Sequence, residues 1–159
     1  MISIRQKNSF LIIIWCIGSL LFFSNQAEAY QCSPEPTDDL IQHGDTVTCN
    51  IDSIGDNDKF RFSGSNGDTV AVQVSRRGGG TPCVELWDPN GVRIGWNCTN
   101  SFNGYARINA TLDQKGTHTI LVNEYQNNAE MDYVLALERI MPPSAAAKPI
   151  TQGAKLNEA

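Results

Sequence analysis

The chain lacks the short motifs that mark many hydrolases and metal enzymes. It has no Gly-x-Ser-x-Gly elbow, no His-Glu-x-x-His pair and no Cys-x-x-Cys pair, so no familiar nucleophile or zinc arrangement is recognisable. It has two histidines, His43 and His118. His118 alternates with Ile120 and Val122, which predicts a partly buried ring, and His43 is predicted at the surface. These absences favour a protein that is not an enzyme, and a small hydrolase with an unfamiliar site is the less favoured alternative.

The sequence also lacks a basic stripe. Its 12 basic and 17 acidic side chains fall to 10 and 16 if Arg5, Lys7 and Glu28 leave with an N-terminal leader, which gives a net charge of −6. A chain of this charge is a poor partner for nucleic acid or for an anionic lipid surface.

One long apolar run is present, and it lies at the N-terminus. Arg5 and Lys7 precede the run at 10–23, and Ala27-Glu28-Ala29 offers small residues before a cleavage site at Tyr30. About 14 apolar residues are too few to cross a hydrocarbon core of about 30 Å comfortably. Residues 1–29 are therefore predicted to be a signal peptide, with an uncleaved anchor as the alternative. The mature protein should be secreted or periplasmic, with no membrane span after cleavage.

Four cysteines remain after this cleavage, an even number that predicts two disulfides in an exported chain. Three connectivities are possible. Cys83 and Cys98 flank the turn-forming Asp88-Pro89-Asn90-Gly91, so two strands leaving this turn would bring them opposite each other. Cys32 and Cys49 would then tie the N-terminal arm to the first strand. A zinc site is the alternative to disulfides.

Short segments of alternating apolar and polar residues follow one another, separated by turn residues. No helical stripe appears beyond the leader. This pattern predicts an all-β protein, an antiparallel sandwich of two sheets and about eight strands, stapled by two disulfides. The predicted strands are 46–51, 59–63, 68–76, 83–87, 92–96, 105–112, 116–123 and 132–139, with Gly78-Gly79-Gly80 as a flexible loop.

The domain organisation follows from these segments. Residues 30–44 are polar and proline-containing, which predicts an N-terminal arm with a short strand or a helical turn. The sandwich is predicted at 45–141. Pro142 and Pro143 end the last strand, and residues 142–159 are predicted to form a flexible tail.

Alternation within the 83–96 hairpin predicts which side chains face solvent. If even-numbered residues point inward, Trp87 faces out, and Tyr105 faces out on a neighbouring strand. Exposed aromatic side chains on a sheet can stack on sugar or contact an extended peptide, so these two are the candidate ligand-binding residues. Alternatively, loops or the arm cover Trp87. The side chains then predicted for the core are Val84, Leu86, Val92, Ile94 and Trp96.

Three closely spaced carboxylates form an acidic loop at Asp52, Asp56 and Asp58. Hard cations prefer several oxygen ligands, so the loop is a candidate calcium site. The alternative is that Asp56 and Asp58 fix a tight turn through hydrogen bonds to backbone N–H groups. No other cofactor is indicated.

Five segments together resemble the bacterial pre-peptidase C-terminal domain family, over about Asp45 to Arg139. They are Gly55-Asp56-Asn57-Asp58-Lys59-Phe60-Arg61-Phe62, Gly67-Asp68-Thr69-Val70, Leu86-Trp87-Asp88-Pro89-Asn90-Gly91, Gly116-Thr117-His118-Thr119-Ile120-Leu121-Val122 and Tyr133-Val134-Leu135-Ala136-Leu137-Glu138-Arg139.

The resemblance implies an eight-stranded jelly roll of a kind that is commonly appended to secreted proteases and that includes collagen-binding modules. It also implies calcium near the arm, where Glu35, Asp38 and Asp39 could add ligands.

The chain departs from this family in three ways. It carries no protease domain, it has His118 where the family usually has an aromatic residue, and its four cysteines are not part of the general pattern. The positions of collagen-binding aromatic residues therefore do not transfer to it. The predicted function is an exported, non-catalytic binding or accessory module that recognises an extracytoplasmic protein or polysaccharide. The alternative is a structural component of an envelope complex that docks by its sheet edges or tail.

Overall fold

The computed structural model describes residues 30–32, 37–99 and 104–142. The predicted signal peptide at 1–29 and the predicted tail beyond Pro142 lie outside these residues, and the proposed domain boundaries stay predictions. Within the described ranges, no helix has the length and apolarity that crossing a membrane requires.

Ten strands and one 3₁₀ turn make up the described chain, in keeping with the alternating sequence pattern. In order they are β1 (Tyr30–Gln31), β2 (Asp38–Leu40), β3 (Thr46–Ile51), β4 (Asn57–Gly64), β5 (Thr69–Gly79), β6 (Pro82–Trp87), β7 (Arg93–Cys98), β8 (Tyr105–Thr111), β9 (Gly116–Glu124), the 3₁₀ turn Tyr125–Asn127 and β10 (Met131–Met141).

The strands form two five-stranded sheets. The first sheet has the order β1-β3-β10-β5-β8, and the second has the order β2-β4-β9-β6-β7. Without β1 and β2, the remaining eight strands pair only antiparallel. Successive strands alternate between the sheets, except for the β6–β7 hairpin within the second sheet, in the order of a jelly roll. The predicted all-β sandwich is confirmed.

The two strands beyond the predicted eight come from the N-terminal arm. β1 pairs with β3 and β2 pairs with β4, both in parallel, so each adds a short edge strand to one sheet. The arm is polar and does not alternate clearly, so the sequence predicted a short strand or a helical turn there without fixing its position, and the structure has two short strands.

One face of each main strand fills the core between the sheets. Phe60 and Phe62 of β4 and Tyr133, Leu135 and Leu137 of β10 are fully buried, as their alternation predicts. Burying an aliphatic or phenyl side chain of this size contributes about 1.5–3 kcal/mol. Most of the stability of the fold therefore lies in these inward rows.

Both predicted disulfides are present. Cys32 bonds to Cys49 and ties the arm to β3, while Cys83 bonds to Cys98 and ties β6 to β7. Cys83 and Cys98 are direct partners in the antiparallel register. The four cysteines are therefore structural.

The predicted flexible loop at 78–80 is wrong. β5 continues to Gly79, which pairs with Met131, and a register shift at Asp132/Tyr133 leaves Arg77 of β5 as the extra residue. Gly79 has φ +73°, and a Cβ there would collide with the carbonyl oxygen of Glu130. The glycine therefore permits a close strand approach, which local sequence could not distinguish from a loop.

The predicted inward face of β7 is also wrong. Leu86 lies opposite Gly95, and directly opposed residues of two antiparallel strands share a face. A Cβ on Gly95 would approach Ile108 of the core to 2.7 Å, so Gly95 points inward, whereas the register shift at Leu86/Trp87 leaves Arg93 opposite Trp87 on the outer face. Three residues predicted for the core are exposed instead: Val92 (58 %), Ile94 (39 %) and Trp96 (57 %).

Candidate functional site

The β6–β7 hairpin places four aromatic and charged side chains on the outer surface of the second sheet. Trp87 donates from Nε1 to Glu85 Oε2 at 3.0 Å, and Arg93 donates from Nη1 to Glu85 Oε1 at 3.0 Å. The Arg93 guanidinium carbon stands 6.0 Å from the centroid of the Trp87 ring. Trp96 lies directly opposite Glu85 in the strand register. We call Glu85, Trp87, Arg93 and Trp96 the tryptophan face.

Glu85 organises this face. Its carboxylate is mostly shielded from solvent and uses one oxygen for the indole and the other for the guanidinium. The half-exposed Arg93 keeps further N–H donors because only Nη1 is engaged by Glu85. The arrangement therefore holds Trp87 in place while leaving Arg93 and Trp96 available to a partner.

A shallow groove of about 370 Å³ lies beside Trp87. Leu121 of β9 is the register partner of Lys59 and of Glu85, so the groove crosses β4, β9 and β6. Its walls mix apolar, hydroxyl and charged groups, which suits an extended partner more than a purely apolar ligand. The lining residues are Lys59, Trp87, Asp88, Pro89, Gly91, Thr117, Thr119 and Leu121.

Tyr105, the second candidate ligand-binding residue, lies elsewhere. It is the register partner of Ser75 on the outer surface of the first sheet, next to the buried Ala106. Its exposed fraction of 57 % equals that of Trp96. The structure therefore does not bring Trp87 and Tyr105 together on one face.

The acidic loop has two kinds of carboxylate. Asp56 accepts hydrogen bonds from the backbone N–H of Asn57 at 2.7 Å and of Asp52 at 3.3 Å, which fixes the turn before β4. Asp58 is fully buried, and its carboxylate accepts a hydrogen bond from the Tyr133 hydroxyl. Asp56 therefore stabilises the turn, whereas Asp58 is a hydrogen-bonded residue of the core.

Asp52 lines a different, acidic groove of about 230 Å³ together with Glu130 and Asp132. Within the part of the chain that the structure describes, no group of three or more His, Cys, Asp or Glu side chains is arranged to hold a metal ion. Glu35 lies outside the described residues. Calcium binding stays a prediction, which a calcium titration followed by melting temperature tests.

Each histidine directs one ring nitrogen at a backbone carbonyl. His118 is fully buried, stacks on Phe62 with ring centroids 5.4 Å apart, and has Nδ1 3.2 Å from the Gly116 oxygen. His43 packs edge-on against the same ring and has Nε2 3.2 Å from the Ser63 oxygen. The inward orientation predicted for His118 is confirmed, whereas His43 is partly buried and not a plain surface residue.

No protein-family model and no curated protein sequence matches the chain. Among solved structures, the pre-peptidase C-terminal domain of a collagenase from Bacillus anthracis is similar, with a TM-score of 0.54 and 17 % identity. The match covers 67 % of this chain and 100 % of that chain. The chain has the fold of a pre-peptidase C-terminal domain.

A second solved structure with this fold is a periplasmic inhibitor of g-type lysozyme from Aeromonas hydrophila. It is 14 % identical, with a TM-score of 0.51, over 65 % of this chain and 97 % of that chain. At these identities the likeness to both solved structures concerns the fold alone. The resemblance drawn from the sequence segments is thus confirmed at the level of the fold.

Trp96 was missed as a surface residue, although the sequence held a signal for it. If Cys83 and Cys98 are directly opposed, stepping two residues toward the turn on each strand places Glu85 opposite Trp96. Glu85 is predicted to face out, so Trp96 must face out as well. The predicted disulfide therefore fixes the pairing of β6 with β7. In that pairing Trp96 faces solvent, whereas the assumption that even-numbered residues point inward places it in the core.

Proposed function

We propose that the protein is an exported, non-catalytic binding module that recognises an extracytoplasmic protein through the tryptophan face. The carrying observation is the exposed Trp96 beside the ordered Trp87–Glu85–Arg93 cluster and its groove. Tryptophan and arginine are the side chains most enriched among residues that dominate protein–protein binding energy. A preorganised cluster also reduces the entropy lost on binding.

The chemistry of Trp87 favours a protein over a polysaccharide. A sugar ring stacks on a free indole face, but Arg93 stands over the Trp87 ring and Glu85 already accepts its N–H. The free donors of Arg93 instead suit a carboxylate or a backbone carbonyl of a protein partner. Recognition of a polysaccharide by Trp96 alone is the alternative outcome.

Export is supported by two observations of different kinds. The four cysteines of the described chain form two disulfides, which persist in oxidising compartments. The sequence at 1–29 has the features of a cleavable leader. The Aeromonas hydrophila protein with the same fold is a periplasmic inhibitor of a lysozyme, so this fold has served to recognise a protein in such a compartment.

The proposal is tested by site-specific photo-crosslinking in cells that produce the protein. A photoreactive phenylalanine analogue replaces Thr119 in the groove or, as the control, Tyr105 on the other sheet. We expect a protein adduct from position 119 only, and we expect Trp96→Ala or Arg93→Ala to remove it. The identified partner, purified and titrated by calorimetry, should bind each variant about tenfold or more weakly.

Two outcomes would contradict this proposal. Equal adducts from positions 119 and 105, or an adduct that Trp96→Ala leaves unchanged, would show that the tryptophan face is not the interface. Retention of the wild-type protein on peptidoglycan, chitin or cellulose, lost in Trp96→Ala and without any protein adduct, would replace the protein partner with a polysaccharide.

A further inference from the structure

A second cavity, of about 280 Å³, lies where the β6–β7 and β8–β9 turns meet at one end of the sandwich. Gln114 of one turn donates from Nε2 to Asp88 of the other at 2.9 Å, which holds the two turns together. Asp88 also borders the groove of the tryptophan face, but the remaining lining residues differ. The lining consists of Asp88, Ile94, Thr111, Asp113, Gln114 and His118.

His118 lines this cavity, and one of its two ring nitrogens is unpartnered within the described chain. Its Nδ1 faces the carbonyl oxygen of Gly116, which cannot donate, so Nδ1 carries the proton. With the proton on Nδ1, a neutral ring leaves Nε2 as a hydrogen-bond acceptor. The side chain is fully buried, and Nε2 has no hydrogen-bond partner among the described residues. A buried acceptor of this kind is unfavourable until a donor reaches it.

Two carboxylates give the cavity a negative charge. Asp88 is fixed because it accepts hydrogen bonds from the backbone N–H groups of Asn90 at 2.9 Å and Val92 at 2.8 Å. The Asp113 carboxylate is exposed and takes no part in the hydrogen bonds or ion pairs of the described chain. None of the six lining residues is a lysine or an arginine. The cavity therefore offers acceptors and negative charge without a cation of its own.

We propose that this cavity binds an ammonium or guanidinium group, either as a small free cation or at the end of a lysine or arginine side chain of another protein. Such a group supplies N–H donors to His118 Nε2 and a positive charge to Asp113 and Asp88. The proposal does not depend on the tryptophan face, because the cavity opens at the end of the sandwich between the turns.

Nuclear magnetic resonance of the two imidazole rings tests the proposal on the whole protein. The probes are n-butylammonium, N-acetylarginine amide and an uncharged citrulline analogue, each at constant ionic strength. We expect a saturable shift of the His118 Nε2 resonance with the two cations, whereas His43 and the uncharged analogue show none. A cationic peptide that binds more tightly than the free cations would identify a protein side chain as the source, and the reverse order would identify a small cation.

Substitutions make the test specific. Asp113→Asn should weaken binding about two- to fivefold, the effect of one exposed ionic contact, and Glu138→Gln on the first sheet should leave it unchanged. His118→Phe should abolish binding while keeping a ring against Phe62, and Asp113→Asn serves alone if that variant does not fold. Absence of a saturable His118 shift, or a shift unaffected by Asp113→Asn, would overturn the proposal.

Discussion

The outer faces of the two sheets are both formed by β-strands, but their exposed side chains form different hydrogen-bond networks. On the first sheet, neighbouring polar side chains bond to one another: Arg107 donates to Gln73 at 3.0 Å and to Asn109 at 3.1 Å. On the second sheet, Glu85 gathers the polar groups of Trp87 and Arg93, while Trp96 stays outside this network. Each face exposes one large aromatic ring, Tyr105 on the first and Trp96 on the second, but only the second gathers a tryptophan and an arginine around one mostly shielded carboxylate.

The register of one edge strand creates this difference. β7 is the last strand of the second sheet, and a register irregularity lies between Leu86 and Trp87 of its partner β6. A shift of one residue would turn Trp96 into the core and Gly95 outward. The contrast between the two faces therefore depends on what holds β7 in register, which the following substitutions address.

Removing the Cys83–Cys98 disulfide should have the largest effect. The double substitution Cys83→Ala/Cys98→Ala releases a constraint that spans 15 residues and should lower the free energy of unfolding by about 2–4 kcal/mol. Because β7 pairs with β6 alone in its sheet, Trp96 should also become more mobile. Urea denaturation measures the first effect and the tryptophan emission of the mature chain the second, since only Trp87 and Trp96 remain after position 29.

The Cys32–Cys49 disulfide supplies the matched control. It closes a similar span of 17 residues, so Cys32→Ala/Cys49→Ala should cost a similar 2–4 kcal/mol, as an order of magnitude. It lies on the first sheet, and its loss should leave the native emission spectrum of the two tryptophans unchanged. Equal spectral changes in the two double variants would show that the register of β7 does not depend on its own disulfide.

A smaller effect is expected from Glu85→Gln. The substitution removes the charge that Arg93 and the Trp87 N–H both use, and should cost about 1 kcal/mol of unfolding free energy. Trp87 should become easier to quench with acrylamide. Glu138→Gln, an exposed acid on the first sheet, should change stability by less than about 0.5 kcal/mol. Similar effects of the two substitutions would show that Glu85 stabilises the tryptophan face no more than an exposed acid stabilises the first sheet.

Sequence alternation was sufficient for the sandwich but not for the tryptophan face. Phe60, Phe62 and Tyr133 could be assigned to the core because period 2 within a strand fixes relative direction. Alternation does not relate one strand to the next, since a turn or bulge of one residue reverses the face. Ile94 and Trp96 were misassigned to the core for this reason, and only the pairing of the cysteines indicated the register of β7.

The acidic loop shows a second limit of local sequence, while calcium binding itself stays a prediction. Spacing brought Asp52, Asp56 and Asp58 together as candidate ligands, but strand alternation sends Asp58 to Tyr133 in the core. The acidic neighbours of Asp52 in space, Glu130 and Asp132, come from the far end of the chain. Residues joined only by tertiary structure cannot be grouped by spacing.

The smallest expected effect is a pH dependence of the unfolding free energy. It arises at His43, which lies on neither outer face. Burial lowers the pKa of His43 from its usual value of 6.5, and the positive charge of Arg139 lowers it further, while the Ser63 carbonyl, Asp68 and Glu138 oppose this shift. The unfolded chain therefore binds a proton more readily than the folded chain. The stability that neutral His43 confers is complete above about pH 6.5 and is lost as the pH falls through the lower folded-state value.

This dependence is measured by denaturation at about pH 7.5 and about pH 5.5, with His43→Gln as the matched variant. We expect the wild-type protein to lose more stability on acidification than the variant does, by a modest amount because the ring is only partly buried. Tryptophan emission of the native state should stay constant over the same range, because His43 packs against Phe62 and not against the tryptophan face. Parallel losses in the two proteins would assign the acid sensitivity to other groups, and an emission change in the native state would couple the two regions.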